Sequence, residues 1–156
     1  MAFDYEKLRR EISWDLAKKE LGFKDGDSIN LSYICVDRNV EQGRGEKLAL
    51  IHENHEGTIR NYTYRDLQLL TNGWADFLTR QGIAPTDRVC IFLDRLPELY
   101  IGFMGVLKAG AVVQPLFSAF GEESVWQRAE DSKAVAVITQ NKHLGKIQIG
   151  RASCRE

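Results

Sequence analysis

The sequence predicts an α/β fold, a partial doubly wound parallel sheet, and three observations within Asp87–Thr139 predict it. Three short apolar runs, Arg88–Leu93 (RVCIFL), Ala111–Leu116 (AVVQPL) and Ala134–Thr139 (AVAVIT), alternate with two segments whose apolar residues recur at helical spacing. The first run is nearly continuous in apolar residues, as a strand buried on both faces requires. The strand–helix–strand–helix–strand order then lets right-handed crossovers lay the strands side by side.

The elements follow in chain order. Residues 4–20 place Tyr5, Leu8, Ile12 and Leu16 at a loose helical spacing, and Gly22, Gly26 and Asp27 break it. Asn30 suits the N-cap of a helix from Leu31 to about Val40, with Ile34 and Cys35 facing inward and Gly43 and Gly45 ending it. Lys47–His52 and Thr58–Tyr64 read as the two strands of a hairpin across a turn at Glu53–Gly57. Thr63 and Asp66 stand close to a capping-box pattern for the next helix. Its Leu67, Leu70, Trp74, Phe77 and Leu78 fall on one face, and Gly82 is its C′ residue. After the run Arg88–Leu93, Pro97 opens a helix with the stripe Leu99, Tyr100, Phe103, Met104 and Leu107, closed by Gly110. Glu122–Asp131 is a short helix with acidic residues in its first turn, where they favour the helix dipole.

Composition narrows the function classes. A chain of 156 residues is one domain or part of a larger one, and 44% hydrophobic with 28% charged residues allows a core. A formal net charge of -1 argues against a nucleic-acid footprint or a basic membrane patch. The stretch MAFDYEKLRREISWDLAKKE is charged throughout and lacks the apolar centre of a secretory signal. Cys35, Cys90 and Cys154 are odd in number and not at metal spacing, so a reducing cytoplasm is expected. Cys90, inside an apolar run, reads as a buried inert thiol.

Motif by motif, the residues give a scaffold without chemistry. No GxxxxGK[ST] loop occurs, and Gly43–Lys47 has the wrong spacing and precedes a strand. Gly102, Gly105 and Gly110 lie inside or at the end of a helix, where close packing explains them better than dinucleotide binding. His52, Glu53 and His55 fall at a strand end with no fourth ligand, so no metal site is assigned. Asp37, Asp94 and Glu98 read as isolated acids. The octapeptide Ile149–Glu156 (IGRASCRE) matches what one reading frame of a common short-read sequencing adapter encodes. The domain reading is accordingly a helical extension at 1–28, an α/β subdomain at 29–147, and adapter translation, not native protein, at 148–156.

Four stretches carry a resemblance to a known family: residues 29–51 (INLSYICVDRNVEQGRGEKLALI), 62–89 (YTYRDLQLLTNGWADFLTRQGIAPTDRV), 94–120 (DRLPELYIGFMGVLKAGAVVQPLFSAF) and 123–139 (ESVWQRAEDSKAVAVIT). They resemble the N-terminal part of the large domain of adenylate-forming acyl-CoA ligases, and most of all the AMP-forming acetate–CoA ligases, acetyl-CoA synthetases. The resemblance implies a ligase that joins a carboxylate to coenzyme A at the expense of ATP, with Mg²⁺, through an acyl-adenylate. It implies that Phe117, Ser118 and Ala119 approach the pantetheine arm of coenzyme A, with Ser118 where glycine is common. It also implies that Lys142 and Lys146 stand near the nucleotide phosphates of coenzyme A. The family's Ser/Thr/Gly-rich loop, its Tyr-Gly-x-Thr-Glu stretch and its catalytic lysine have no counterpart in these residues, so no catalytic residue is assigned. The expectation is an N-terminal fragment inactive alone, set against a standalone non-catalytic α/β binding or interaction module.

Overall fold

A computed structural model of the chain describes residues 4–147. The expected adapter translation at 148–156, with Cys154, and the side chain of Leu8 lie outside what is described. The leading helix is two helices, α1 (Tyr5–Glu11) and α2 (Trp14–Leu21). Ser13 divides them: its hydroxyl accepts from the Leu16 amide at 3.1 Å, a local cap that restarts the helix and that a periodicity count overlooks. Gly22, at φ +74°, closes α2 in the left-handed conformation that a residue without Cβ adopts at little cost.

Asn30 caps the following helical segment as expected, its Oδ1 accepting from the Tyr33 amide at 3.2 Å. That segment contains two wide, π-type stretches, Tyr33–Asp37 and Val40–Arg44. The widening rotates its inward face, so Ser32 and Val36 are buried, whereas Ile34 and Cys35 are only half-buried. β1 (Leu48–Glu53) and β2 (Ile59–Thr63) form the expected antiparallel hairpin, pairing Ile51 with Asn61 and Glu53 with Ile59. α3 (Tyr64–Arg80) begins with both halves of the capping box, Thr63 Oγ1 accepting from the Asp66 amide and the Asp66 carboxylate from the Thr63 amide.

β3 (Arg88–Phe92) is the centre of a three-stranded parallel sheet in the order β4-β3-β5, with β4 (Val112–Pro115) and β5 (Ala136–Thr139) at its sides. α4 (Pro97–Lys108) connects β3 to β4, and α5 (Glu122–Asp131) connects β4 back past β3 to β5. Successive residues of β3 feed opposite cores. Val89 and Ile91 join Leu78, Leu93 and Val106 under α3 and α4, while Cys90 and Phe92 join Leu116 and Val125 under α5. The doubly wound arrangement read from the sequence is the observed one.

Two helical stripes differ from expectation. On α3 the inward line is Leu67, Thr71, Trp74 and Leu78, while Leu70 and Phe77 join Leu69 on the outside. On α4 the deepest residues are Ile101, Gly102, Gly105 and Val106, and Tyr100 is half-exposed. α4 is apolar around most of its circumference, so periodicity does not select a face. Its glycines do, because they admit the closest approach. A Cβ on Gly105 would lie 2.5 Å from Trp74 Cβ, and one on Gly102 would touch Ile91 and Ile138. Close packing is thus what Gly102 and Gly105 serve.

Asp37 is not isolated either. Its carboxylate accepts from Lys108 Nζ at 2.8 Å and from Gln68 Nε2 at 3.0 Å, and both ionic side chains are largely buried. Asn30 Nδ2 meanwhile donates to the Leu107 carbonyl at 3.0 Å, satisfying one of the free carbonyls at the end of α4. Together they fasten the segment before the hairpin to the far end of α4.

Candidate functional site

Because β3, β4 and β5 are parallel, their carboxyl ends open on one side of the sheet, and doubly wound sheets place ligands in the crevice there. Three chain segments meet at that place: Asp94 just beyond β3, the loop Leu116–Phe120 beyond β4, and a 3-10 turn, Asn141–Lys146, beyond β5.

Asp94 holds two of them together. Its Oδ1 accepts from His143 Nε2 at 3.0 Å, and its Oδ2 forms an ion pair with Lys142 Nζ. The Lys142 ammonium, and after it the His143 imidazole, hold the Asp94 carboxyl well below the ordinary carboxylate range, so it is ionised at neutral pH. His143 is 7% exposed and its ring packs on Phe92, centroids 4.7 Å apart. A further tie lies one turn earlier, where Thr139 Oγ1 donates to the Phe92 carbonyl at 2.8 Å.

The turn then reaches the third segment. Lys146 Nζ donates to the Phe120 carbonyl at 3.1 Å and approaches that of Ser118 at 3.4 Å. Within the loop Phe117 and Phe120 meet edge to face, and Arg128 lies 4.3 Å over the Phe120 ring. Phe117 is 61% exposed, so its ring does not fill the core. The five residues singled out from the sequence, Phe117, Ser118, Ala119, Lys142 and Lys146, therefore fall on two segments in contact at one end of the sheet.

Sequence reasoning missed Asp94 as a partner and His143 altogether. Asp94 is the second residue beyond a buried strand at the ligand-bearing end of a wound sheet, and that position was the available signal. The arrangement brings two cationic side chains, Lys142 and Lys146, beside a loop that carries an exposed phenylalanine. Cys90 does not contribute: it is fully buried, donates to Gln114 Oε1 at 3.1 Å, and burial pushes its thiol up to about 11. Among the described residues there is no cluster of three or more His, Cys, Asp or Glu that could hold a metal ion. A shallow apolar depression of about 390 Å³ lies elsewhere, on α3 between Leu69, Leu70, Gly73, Trp74 and Phe77, and carries no ionisable group.

Comparison with known proteins gives consistent results. The family model described as AMP-binding enzyme matches residues 36–154. An acetyl-coenzyme A synthetase of Halorhodospira halophila is 37% identical over 139 residues, which is 88% of this chain and 21% of the relative. That of Bacillus subtilis is 34% identical over 149 residues, 95% of this chain and 26% of the relative. The crystal structure of an acyl-CoA synthetase from Brucella canis aligns with TM-score 0.84 at 28% identity, covering 93% of this chain and 26% of that one. The chain thus spans about a fifth to a quarter of the length of the curated relatives it matches.

Proposed function

This chain belongs to the AMP-binding enzyme family, and on that premise we propose that it forms the N-terminal scaffold of an AMP-forming acetate, or short-chain acyl, CoA ligase. The observation that carries the proposal is the 37% identity with an acetyl-coenzyme A synthetase across 88% of this chain. The proposed conversion takes ATP, a carboxylate and coenzyme A to acyl-CoA, AMP and pyrophosphate by way of an acyl-adenylate. Mg²⁺, where it binds, would neutralise phosphate charge, and no residue between 4 and 147 is assigned to it.

This chain's own part in that conversion is binding and support. Phe117, Ser118 and Ala119 would line the path of the pantetheine arm, which suits a loop whose phenylalanine ring is exposed at the carboxyl ends of the strands. Lys142 and Lys146 would face the nucleotide phosphates of coenzyme A. Each ammonium has three donors, so contacts with Asp94 or with the loop carbonyls leave donors for an anion. With no acid, base or nucleophile assigned among the described residues, we hold that this polypeptide alone does not turn over. We place the ligase in the cytoplasm, without nucleic-acid or membrane partners. Among the described residues no helix is long and apolar enough to cross a membrane.

The test is acetate-dependent pyrophosphate release, measured on the longest open reading frame that includes these residues and on the 156-residue polypeptide. Release by the first and none by the second is expected. Silence of the longer protein with acetate, propionate and butyrate would overturn the ligase reading, and turnover by the polypeptide would overturn its inactivity.

A further inference from the structure

We infer that Asp94 is a positioning residue for coenzyme A, pinning the Asn141–Lys146 turn to the end of β3 and so setting Lys142 and Lys146 beside the Phe117–Ala119 loop. The inference rests on the ligase reading above and concerns an acid whose described partners, Lys142 and His143, both lie in the turn.

The argument begins with what the turn lacks. It is a six-residue 3-10 segment, whose hydrogen bonds are poorly aligned, and Gln140 at its N-cap position makes no side-chain capping bond. Six such residues do not hold a shape by themselves in water. Their order comes from outside: the far end is tied through Lys146 to the loop carbonyls of Ser118 and Phe120, and the near end to the end of β3. Asp94 binds two successive side chains of the turn, Lys142 and His143, through its two oxygens, and Phe92 supports the His143 ring. The base of this clamp is rigid, since β3 is buried on both faces and paired on both sides.

Among the described residues the far end has only the Lys146 hydrogen bonds to two loop carbonyls, so its direction of approach depends on the near end. Lys146 lies one 3-10 turn beyond His143, and its ammonium reaches the Phe120 carbonyl. When Asp94 loses its charge, Lys142 and His143 lose their common acceptor, and the turn can swing away from the β4 loop. Two lysines meant for phosphate would then be present but misplaced. Positioning errors of about 1 Å are costly where several groups must meet one ligand.

The experiment compares wild type, Asp94→Asn, Asp94→Ala and Arg95→Gln in the full-length ligase. Arg95 is exposed and makes no described hydrogen bond, so it controls for a change of local charge. Acetate-dependent ATP–pyrophosphate exchange needs no coenzyme A, whereas overall thioester formation does. We expect Asp94→Ala to raise the KM for coenzyme A roughly tenfold or more, Asp94→Asn to raise it less, and Arg95→Gln to leave it unchanged, while exchange stays within about twofold in all. A coenzyme A KM within about twofold of wild type in both Asp94 variants would overturn the inference. So would exchange and coenzyme A KM deteriorating in parallel in Asp94→Asn, which is the mark of general misfolding. Wild type without acetate-dependent exchange would instead refute the ligase reading, and the inference would fall with it.

Discussion

Asp94 shows how much a single carboxylate at a strand end can organise. Its partners, Lys142 and His143, are nearly fifty positions away in the chain, so sequence inspection sees a lone acid between Leu93 and Arg95. Only the parallel sheet, which brings the ends of β3 and β5 together, makes the triplet visible. The lysines were accessible to reasoning because a family pattern marks them; the acid that holds them was not, because no local motif does. A pH dependence follows from the same contacts. The native carboxyl is held below its unfolded value, so the unfolded chain binds the proton more readily and acid favours unfolding. The contribution is fully present above the ordinary aspartate value of about 4 and is lost as pH falls below it. Urea midpoints of wild type should therefore fall more steeply than those of Asp94→Asn between about pH 5 and pH 3. Parallel curves for the two proteins would show that the contact contributes nothing to stability.

At the level of elements, strands and caps were legible and helix faces only in part: Trp74, Leu78, Leu99 and Phe103 meet the core as expected, while Leu70, Phe77 and Tyr100 do not. β3 is announced by an apolar run, and α3 by Thr63 and Asp66, because those signals are local. The buried side of α4 is decided by what approaches it: close packing at Gly102 and Gly105 was legible, but not that α3 and β3 supply it. Gly105 and Gly73 separate packing from helix propensity. Gly105→Ala places a methyl 2.5 Å from Trp74 Cβ, atoms that cannot rotate away. The strain of about 1–3 kcal/mol should outweigh the gain of up to about 1 kcal/mol in helix propensity, and lower the melting temperature. Gly73→Ala on α3 meets nothing within 4 Å and should raise stability by up to about 1 kcal/mol. Thermal melts of the two variants check both signs, and a stabilised Gly105→Ala would contradict the packing described for α3 and α4.

At the scale of the whole molecule, the described three-stranded sheet has β4 and β5 as its edges, and apolar side chains such as Ile51, Ile59, Leu69 and Phe77 are exposed. Relatives about four times as long have further chain to cover such surfaces. The 156-residue polypeptide by itself should therefore self-associate at micromolar concentration and melt broadly. Sedimentation and calorimetry test this, and a monomer with a sharp, concentration-independent transition would refute it. The Asp37–Lys108 pair adds a matter of timing. Its two charges are 71 positions apart, and ribosomes add roughly 5–20 residues per second. Asp37 is therefore synthesised some seconds before its lysine exists. During that interval Asp37 has Gln68 as a partner but no cation, and Asn30 lacks the carbonyl of Leu107, which is still unmade. In a growing chain these two ties of the segment before the hairpin therefore close only once α4 has been made, later than the hairpin and the α3 cap, whose contacts are local.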